Sequence, residues 1–276
     1  MEDVTLSRGD LRMVLRPEWG GRVRELSRAG RDILHPLQGA DETFDPTIWP
    51  KGGAYPLFPF HNRISQGRFK WDGREVQLPL HPHEAATVHG HGHKLPWQVV
   101  EQGPDMVELR LSDQGDGVWP FPFTAVQRFQ LTQGGLELVL SIRNDGDATM
   151  PAGLGWHPYF TKCRTVRSDA AREWAMDEHF LPDGNWGSVT ESEATTRYLS
   201  DWSRVDMELS DGRRLTLLAE EPLSHLVLHD PAGAYTCVEP VSHLANALNL
   251  QPERAADCMV GLAPAETLRA GVMLDC

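Results

Sequence analysis

The sequence predicts an all-β protein built as a large antiparallel β-sandwich. Three observations predict it: short segments alternate apolar and polar residues with a period of two, helical periodicity is scarce, and turn signals punctuate the segments at hairpin spacing.

The alternating segments are Val4 to Leu6, Leu11 to Leu15, Phe69 to Trp71, Val107 to Leu111, Ala125 to Leu131, Leu136 to Ile142 and Leu215 to Leu218. Successive strand residues face opposite sides, so each segment offers one apolar face to a core. Between them stand Trp71-Asp72-Gly73, Gln133-Gly134-Gly135, Asn144-Asp145-Gly146, Ser210-Asp211-Gly212 and Pro231-Ala232-Gly233. Gly, Asn and Asp supply the backbone conformations that tight turns need. The stretch from Asp41 to Gln66, with Pro46, Pro50, Pro56, Pro59, Gly52 and Gly53, reads as neither strand nor helix and is expected to be a long loop capping a site. No Gly/Ser linker, low-complexity tract or fixed-period repeat marks a boundary, so residues 1–276 are expected to form a single domain.

Composition narrows the function classes. A net charge of −13 repels phosphodiester backbones and anionic lipid heads, so neither nucleic acid nor membrane is an expected partner. A small neutral ligand suits that charge, and a multiply anionic one would need a local basic pocket. With no apolar run of membrane-spanning length and an acidic, broken start, the expected location is cytoplasmic. Cys163, Cys237, Cys258 and Cys276 are widely spaced, which suggests reduced thiols. Nine tryptophans fit ordinary core packing and also a sugar binder; Trp71, Trp97 and Trp186 are candidates for stacking on a pyranose.

Four constellations could do chemistry. They are Pro59-Phe60-His61-Asn62-Arg63-Ile64; His81-Pro82-His83-Glu84 running on to His89-Gly90-His91-Gly92-His93; Gly155-Trp156-His157-Pro158-Tyr159-Phe160; and Cys237-Val238-Glu239-Pro240. Clustered histidines first suggest a metal, but the glycines between His89, His91 and His93 break any regular strand and no helix-borne H-E-x-x-H occurs, so no catalytic metal is expected. His157 is held by Trp156 and Pro158 and reads either as a hydrogen-bonded core histidine or as a site residue. Glu239 interrupts a buried strand end. Its carboxylate must therefore be paired with an inward arginine, shifted in pKa, or catalytic.

In order and spacing these motifs resemble the aldose 1-epimerase (galactose mutarotase) family. The likeness begins with Pro17-Glu18-Trp19-Gly20-Gly21-Arg22-Val23 and Asp32-Ile33-Leu34, and continues through Asn62-Arg63-Ile64 with Gly67, Phe69 and Gly73. It runs on through His89-Gly90 with Pro96-Trp97, Met150-Pro151, Gly155, His157-Pro158-Tyr159-Phe160 and Glu239-Pro240 with Asn246 and Asn249, and ends at Gly261-Leu262-Ala263-Pro264-Ala265-Glu266, where Ala265 replaces the usual glycine. The resemblance implies the galactose mutarotase-like supersandwich and a reaction needing no cofactor, the interconversion of the anomers of a free aldose by a monomer or homodimer. It implies His157 as general acid and Glu239 as general base, with Arg63, His89 and Asn62 binding the sugar. One position departs from the pattern. The family's usual substrate-binding aspartate falls near Thr195 or Thr196, and Asp201 is a displaced substitute. Two other readings keep the fold: a hexose-phosphate mutarotase using Arg63 and Arg68, and a non-catalytic carbohydrate-binding or sensor protein.

Overall fold

The computed structural model describes residues 3–37, 45, 51–192, 194–250 and 258–276. Each of the alternating segments named above lies in a strand, and two large antiparallel sheets hold most of them. The larger follows the order Val4–Arg8, Leu11–Arg16, Arg22–Arg28, Ala54–Leu57, Gly155–Thr161, Tyr235–Val241, His225–His229, Thr196–Ser200, Arg172–Met176, Pro182–Ser188. The other follows Gln98–Gln102, Met106–Asp113, Phe123–Leu131, Gly135–Asn144, Thr267–Asp275, Arg214–Ala219, Arg204–Leu209, Cys163–Ser168.

Period-two patterning explains how the sheets stack. The Phe123–Leu131 strand buries every second residue, and its Phe129 joins Leu138, Leu140 and Leu217 in a core shared with Leu26, Trp156, Phe160 and Val238 of the larger sheet. Burying each such side chain contributes about 1.5–3 kcal/mol. The hairpin signal at Asp72-Gly73 closes Arg68–Trp71 onto Arg74–Gln77, with both turn residues left-handed (φ 47° and 76°), as a two-residue hairpin loop requires.

The larger sheet is buried on both faces at its centre. Every residue from Gly155 to Phe160 is buried, and the two faces feed different clusters. Trp156 and Phe160 enter the core between the sheets, whereas Tyr159 joins Tyr55, Leu57, Tyr198, Val227 and Cys237 on the opposite face. That second face carries the candidate site.

The expectation of one irregular stretch from Asp41 to Gln66 is corrected where the structure describes it. Ala54–Leu57 is a central strand and Arg63–Ser65 a short one paired with Ala86–Val88. Positions 41–44 and 46–50 lie outside the described residues. Pro56 sits opposite Trp156 and Pro158 opposite Ala54, and each ring removes only one N–H, so the strand survives through the flanking ladder bonds. Cys163, Cys237, Cys258 and Cys276 form no disulfide with one another. Among the described residues, no helix is long and apolar enough to cross a membrane.

Candidate functional site

Antiparallel register sets side chains in rows across the larger sheet, and residues of two adjacent rows form the floor of a cavity. In one row Tyr55 pairs with His157, and Glu239 with Val227, which in turn pairs with Tyr198. His157 and Glu239 fall opposite each other, between the Gly155–Val241 and Tyr159–Cys237 pairs. The next row on the same face holds Tyr159, Cys237, His229 and Thr196. Residues far apart in the chain therefore meet because strand neighbours share a face every second position.

The cavity encloses about 290 Å³. Its floor presents His157, Glu239, Tyr159, Tyr198, Thr196 and His229, and its walls carry Lys51, Asn62, Arg63, Glu84, His89 and Phe180.

His157 and Glu239 form the chemical centre. Nε2 of His157 lies 3.3 Å from Oε1 of Glu239, with the two side chains 9% and 4% exposed. The imidazole stacks against Tyr55 (ring centroids 4.5 Å apart) and Tyr159 (4.8 Å), which fixes its plane. Burial pushes Glu239 up to about 8, opposed by the positive charges of Lys51 and Arg63. Burial, reinforced by Lys51 and Arg22, holds His157 well below its ordinary 6.5. Both shifts favour the neutral forms.

Asn62, Arg63 and His89 come together on one wall through an unusual backbone arrangement. Asn62 and His89 are both left-handed, with φ of 55° and 61°, a conformation that costs of order 1–3 kcal/mol outside glycine. It lets them exchange hydrogen bonds: the His89 N–H donates to the Asn62 carbonyl (2.8 Å), and the Asn62 N–H donates to Nδ1 of His89 (3.0 Å). Because Nδ1 accepts, the ring proton belongs on Nε2, which makes His89 a donor there. Gly90 is required beside it, since a Cβ would stand 2.1 Å from the Phe58 carbonyl oxygen.

The Arg63 guanidinium is already engaged. It donates to both carboxylate oxygens of Glu84 (2.6 and 3.0 Å) and stands 4.9 Å from the Phe180 ring centroid. Asn246, which sits in the late glutamate motif, accepts from the Ser65 N–H and donates its own N–H to the Arg63 carbonyl, pinning that strand.

Asp201 does not line this cavity. Its exposed carboxylate pairs with Arg172 at 2.7 Å. Thr196 lines the cavity instead, its hydroxyl 2.8 Å from Nδ1 of His229. Arg68, the second arginine considered for phosphate, lies outside it. The clustered histidines diverge: His91 binds Asp113 at 2.6 Å, His93 packs 5.1 Å from the Tyr55 ring, and His89 alone of these three reaches the cavity. None of Trp71, Trp97 and Trp186 lines it; the aromatic surfaces are Tyr159, Tyr198, Tyr235 and Phe180. Sequence reasoning missed Lys51, His229, Tyr198, Tyr235 and Phe180, and named Glu84 and Tyr159 within their constellations without giving them a role. The tyrosines had a signal, since Tyr159 and Tyr235 sit two and four residues from His157 and Glu239 on the same strand faces. Among the described residues, His157, Cys237 and Glu239 form the one group of three metal-ligating side chains, with donor atoms all within 4.8 Å.

Comparison with known proteins agrees with this architecture. The sequence profile described as aldose 1-epimerase matches residues 2–271. Two Escherichia coli K12 proteins, both uncharacterised, are similar in sequence: YphB, 33% identical over 180 residues, and YihR, 31% identical over 135. These alignments cover 64% and 46% of this chain, and only 59% and 44% of those relatives. Among solved structures, one from Escherichia coli K12 superposes with a TM-score of 0.86 at 26% identity, covering 99% of this chain and 98% of that one. A galactose mutarotase-like protein from Clostridium acetobutylicum gives a TM-score of 0.88 at 21% identity, covering 99% and 94%. At that lower identity the likeness concerns the fold.

Proposed function

Because the chain belongs to the aldose 1-epimerase family, we propose that it interconverts the α and β anomers of a free aldose by acid–base ring opening and closure at His157 and Glu239. The observation that carries this reading is the cross-strand pair itself, two proton-transferring groups 3.3 Å apart on the floor of a polar cavity.

Mutarotation needs one proton taken and one given. The anomeric hydroxyl loses its proton to the basic partner while the acidic partner protonates the ring oxygen, and the C1–O5 bond breaks. Rotation about C1–C2 and reclosure by the reverse transfers yield the other anomer. The resemblance assigns the acid role to His157 and the base role to Glu239. The pair needs only one proton between its two members, and burial of both groups keeps it near that count at neutral pH. His89 offers its Nε2 proton to a sugar oxygen, and Arg63 with Asn62 positions the ring.

The cavity has the room of roughly ten waters at about 30 Å³ each, enough for one monosaccharide. Engagement of Arg63 by Glu84, and the position of Arg68 outside the cavity, favour a neutral sugar over a phosphorylated one. A purely binding role would leave the buried His157–Glu239 pair without a purpose. NMR exchange spectroscopy tests the proposal: added protein should strengthen exchange between the α and β anomeric proton signals of an aldose, and unchanged exchange across several aldoses would refute it.

A further inference from the structure

We infer that His157, Cys237 and Glu239 form a binding site for a thiophilic divalent cation, Zn²⁺ above all, whose occupancy blocks the cavity's chemistry. The three side chains lie on one face of two neighbouring strands: Glu239 is opposite His157, and Cys237 is two residues along the same strand face. Their donor atoms lie within 4.8 Å of one another.

The distances suit tetrahedral zinc. Imidazole and carboxylate ligands at about 2.0–2.2 Å, separated by a tetrahedral angle, stand about 3.3–3.5 Å apart, and Nε2 of His157 is 3.3 Å from Oε1 of Glu239. A thiolate at about 2.3 Å would sit slightly farther from each. Reaching that position brings the Cys237 sulfur inside the 4.8 Å within which the three donor atoms now lie. The imidazole is already fixed by its stacking on Tyr55 and Tyr159. His157 and Glu239 line the cavity whereas Cys237 lies beneath it, so a water as fourth ligand would come from the cavity side, the arrangement of zinc sites with three protein ligands.

Charge and chemistry select the ion. A thiolate and a carboxylate together neutralise a dication, which removes the penalty for ionising either group in a buried setting. Sulfur and imidazole favour zinc, cobalt or cadmium, whereas magnesium and calcium demand oxygen ligands that this set does not supply. The site stands on this geometry alone; its inhibitory consequence rests on the mutarotase reading, because the ion would occupy the nitrogen and carboxylate that move protons.

Cobalt is the direct probe. Metal-free full-length protein is titrated with Co²⁺ and followed by absorption. One equivalent should give a thiolate-to-cobalt charge-transfer band together with tetrahedral d–d bands, and Zn²⁺ should abolish both. Cys237→Ser should remove the charge-transfer band, while Cys163→Ser, Cys258→Ser and Cys276→Ser should retain it. X-ray absorption of the zinc-loaded wild type needs no variant, and should show one sulfur at about 2.3 Å with nitrogen or oxygen ligands at about 2.0–2.2 Å. Anomer exchange should slow with added Zn²⁺, recover with a chelator, and require roughly tenfold more Zn²⁺ in Cys237→Ser. Cobalt bound without a thiolate band, a band that survives Cys237→Ser, or zinc with no sulfur neighbour would overturn the site. A site with these signatures in a protein that accelerates no anomer exchange would overturn the mutarotase reading instead.

Discussion

His157 and Glu239 face each other across two neighbouring strands, Nε2 to Oε1 at 3.3 Å, with almost no solvent on either. Burial raises the carboxyl to about 8 and holds the imidazole well below 6.5. Around neutrality the pair therefore carries one proton, which these shifts place on Glu239 at rest and which must pass to His157 before His157 can act as acid and Glu239 as base. The titration belongs to the pair rather than to one residue.

A pH profile follows from that proton count. As pH rises through about 8 the last proton leaves, and nothing remains to protonate the ring oxygen, so kcat should fall. On the acid side a second proton enters only well below 6.5, leaving a plateau across neutrality. A rate that climbs steadily from pH 7 to pH 10, after subtraction of the buffer reaction, would contradict this.

Glu239 should also cost stability as it ionises. Below 4.5 the folded and unfolded chains both hold its proton. Between 4.5 and about 8 only the folded chain does, so stability falls as pH rises through that window and the penalty is constant above it. Glu239→Gln removes the slope. Its Tm should gain on the wild type from pH 5 to pH 8, and a Tm difference independent of pH would count against the raised carboxyl.

Five histidines, four of them buried and His89 partly so, act in the opposite direction. Burial holds His61, His89, His93 and His157 well below 6.5 and lowers His243 to about 3. Above 6.5 both states are neutral at these rings. Below it the unfolded chain takes up protons that the folded chain refuses, so stability is lost on acidification. Urea midpoints measured from pH 7 to pH 5 should drop with an uptake of several protons on unfolding; a flat midpoint would disprove this linkage.

Gly90→Ala tests the wall that carries His89. The new Cβ would stand 2.1 Å from the Phe58 carbonyl oxygen at a left-handed φ of 65°, so one of the two backbones must move. We expect a loss of about 1–3 kcal/mol, seen as a lower Tm, and a raised KM as His89 shifts. Wild-type values for both would mean that the close approach of Gly90 to Phe58 is not required.

The parts of the fold that period-two patterning reaches were legible in the sequence, as in Phe123–Leu131, where one face is buried and the other is not. Strands buried on both faces lose that signal. Gly155–Thr161 and Ala54–Leu57 show no alternation, and their prolines argued against strand at Pro56. The motifs drew attention to His157, Glu239, Arg63, His89 and Asn62, and all five line one cavity. Lys51, Glu84 and His229 arrive there through register and loop placement, which no local pattern encodes. Asp201 shows the converse: a carboxylate near the right place in the chain, yet turned outward to Arg172 just past the end of its strand.

Polarimetry of freshly dissolved α-glucose and α-galactose at neutral pH, with a chelator present, tests the His157–Glu239 pair most directly. Optical rotation should decay faster with the wild type, and turnover should fall by roughly two to four powers of ten in His157→Ala and in Glu239→Gln. Wild-type protein that leaves the decay at the buffer rate, or either variant turning over at the wild-type rate, would contradict the assignment of this pair.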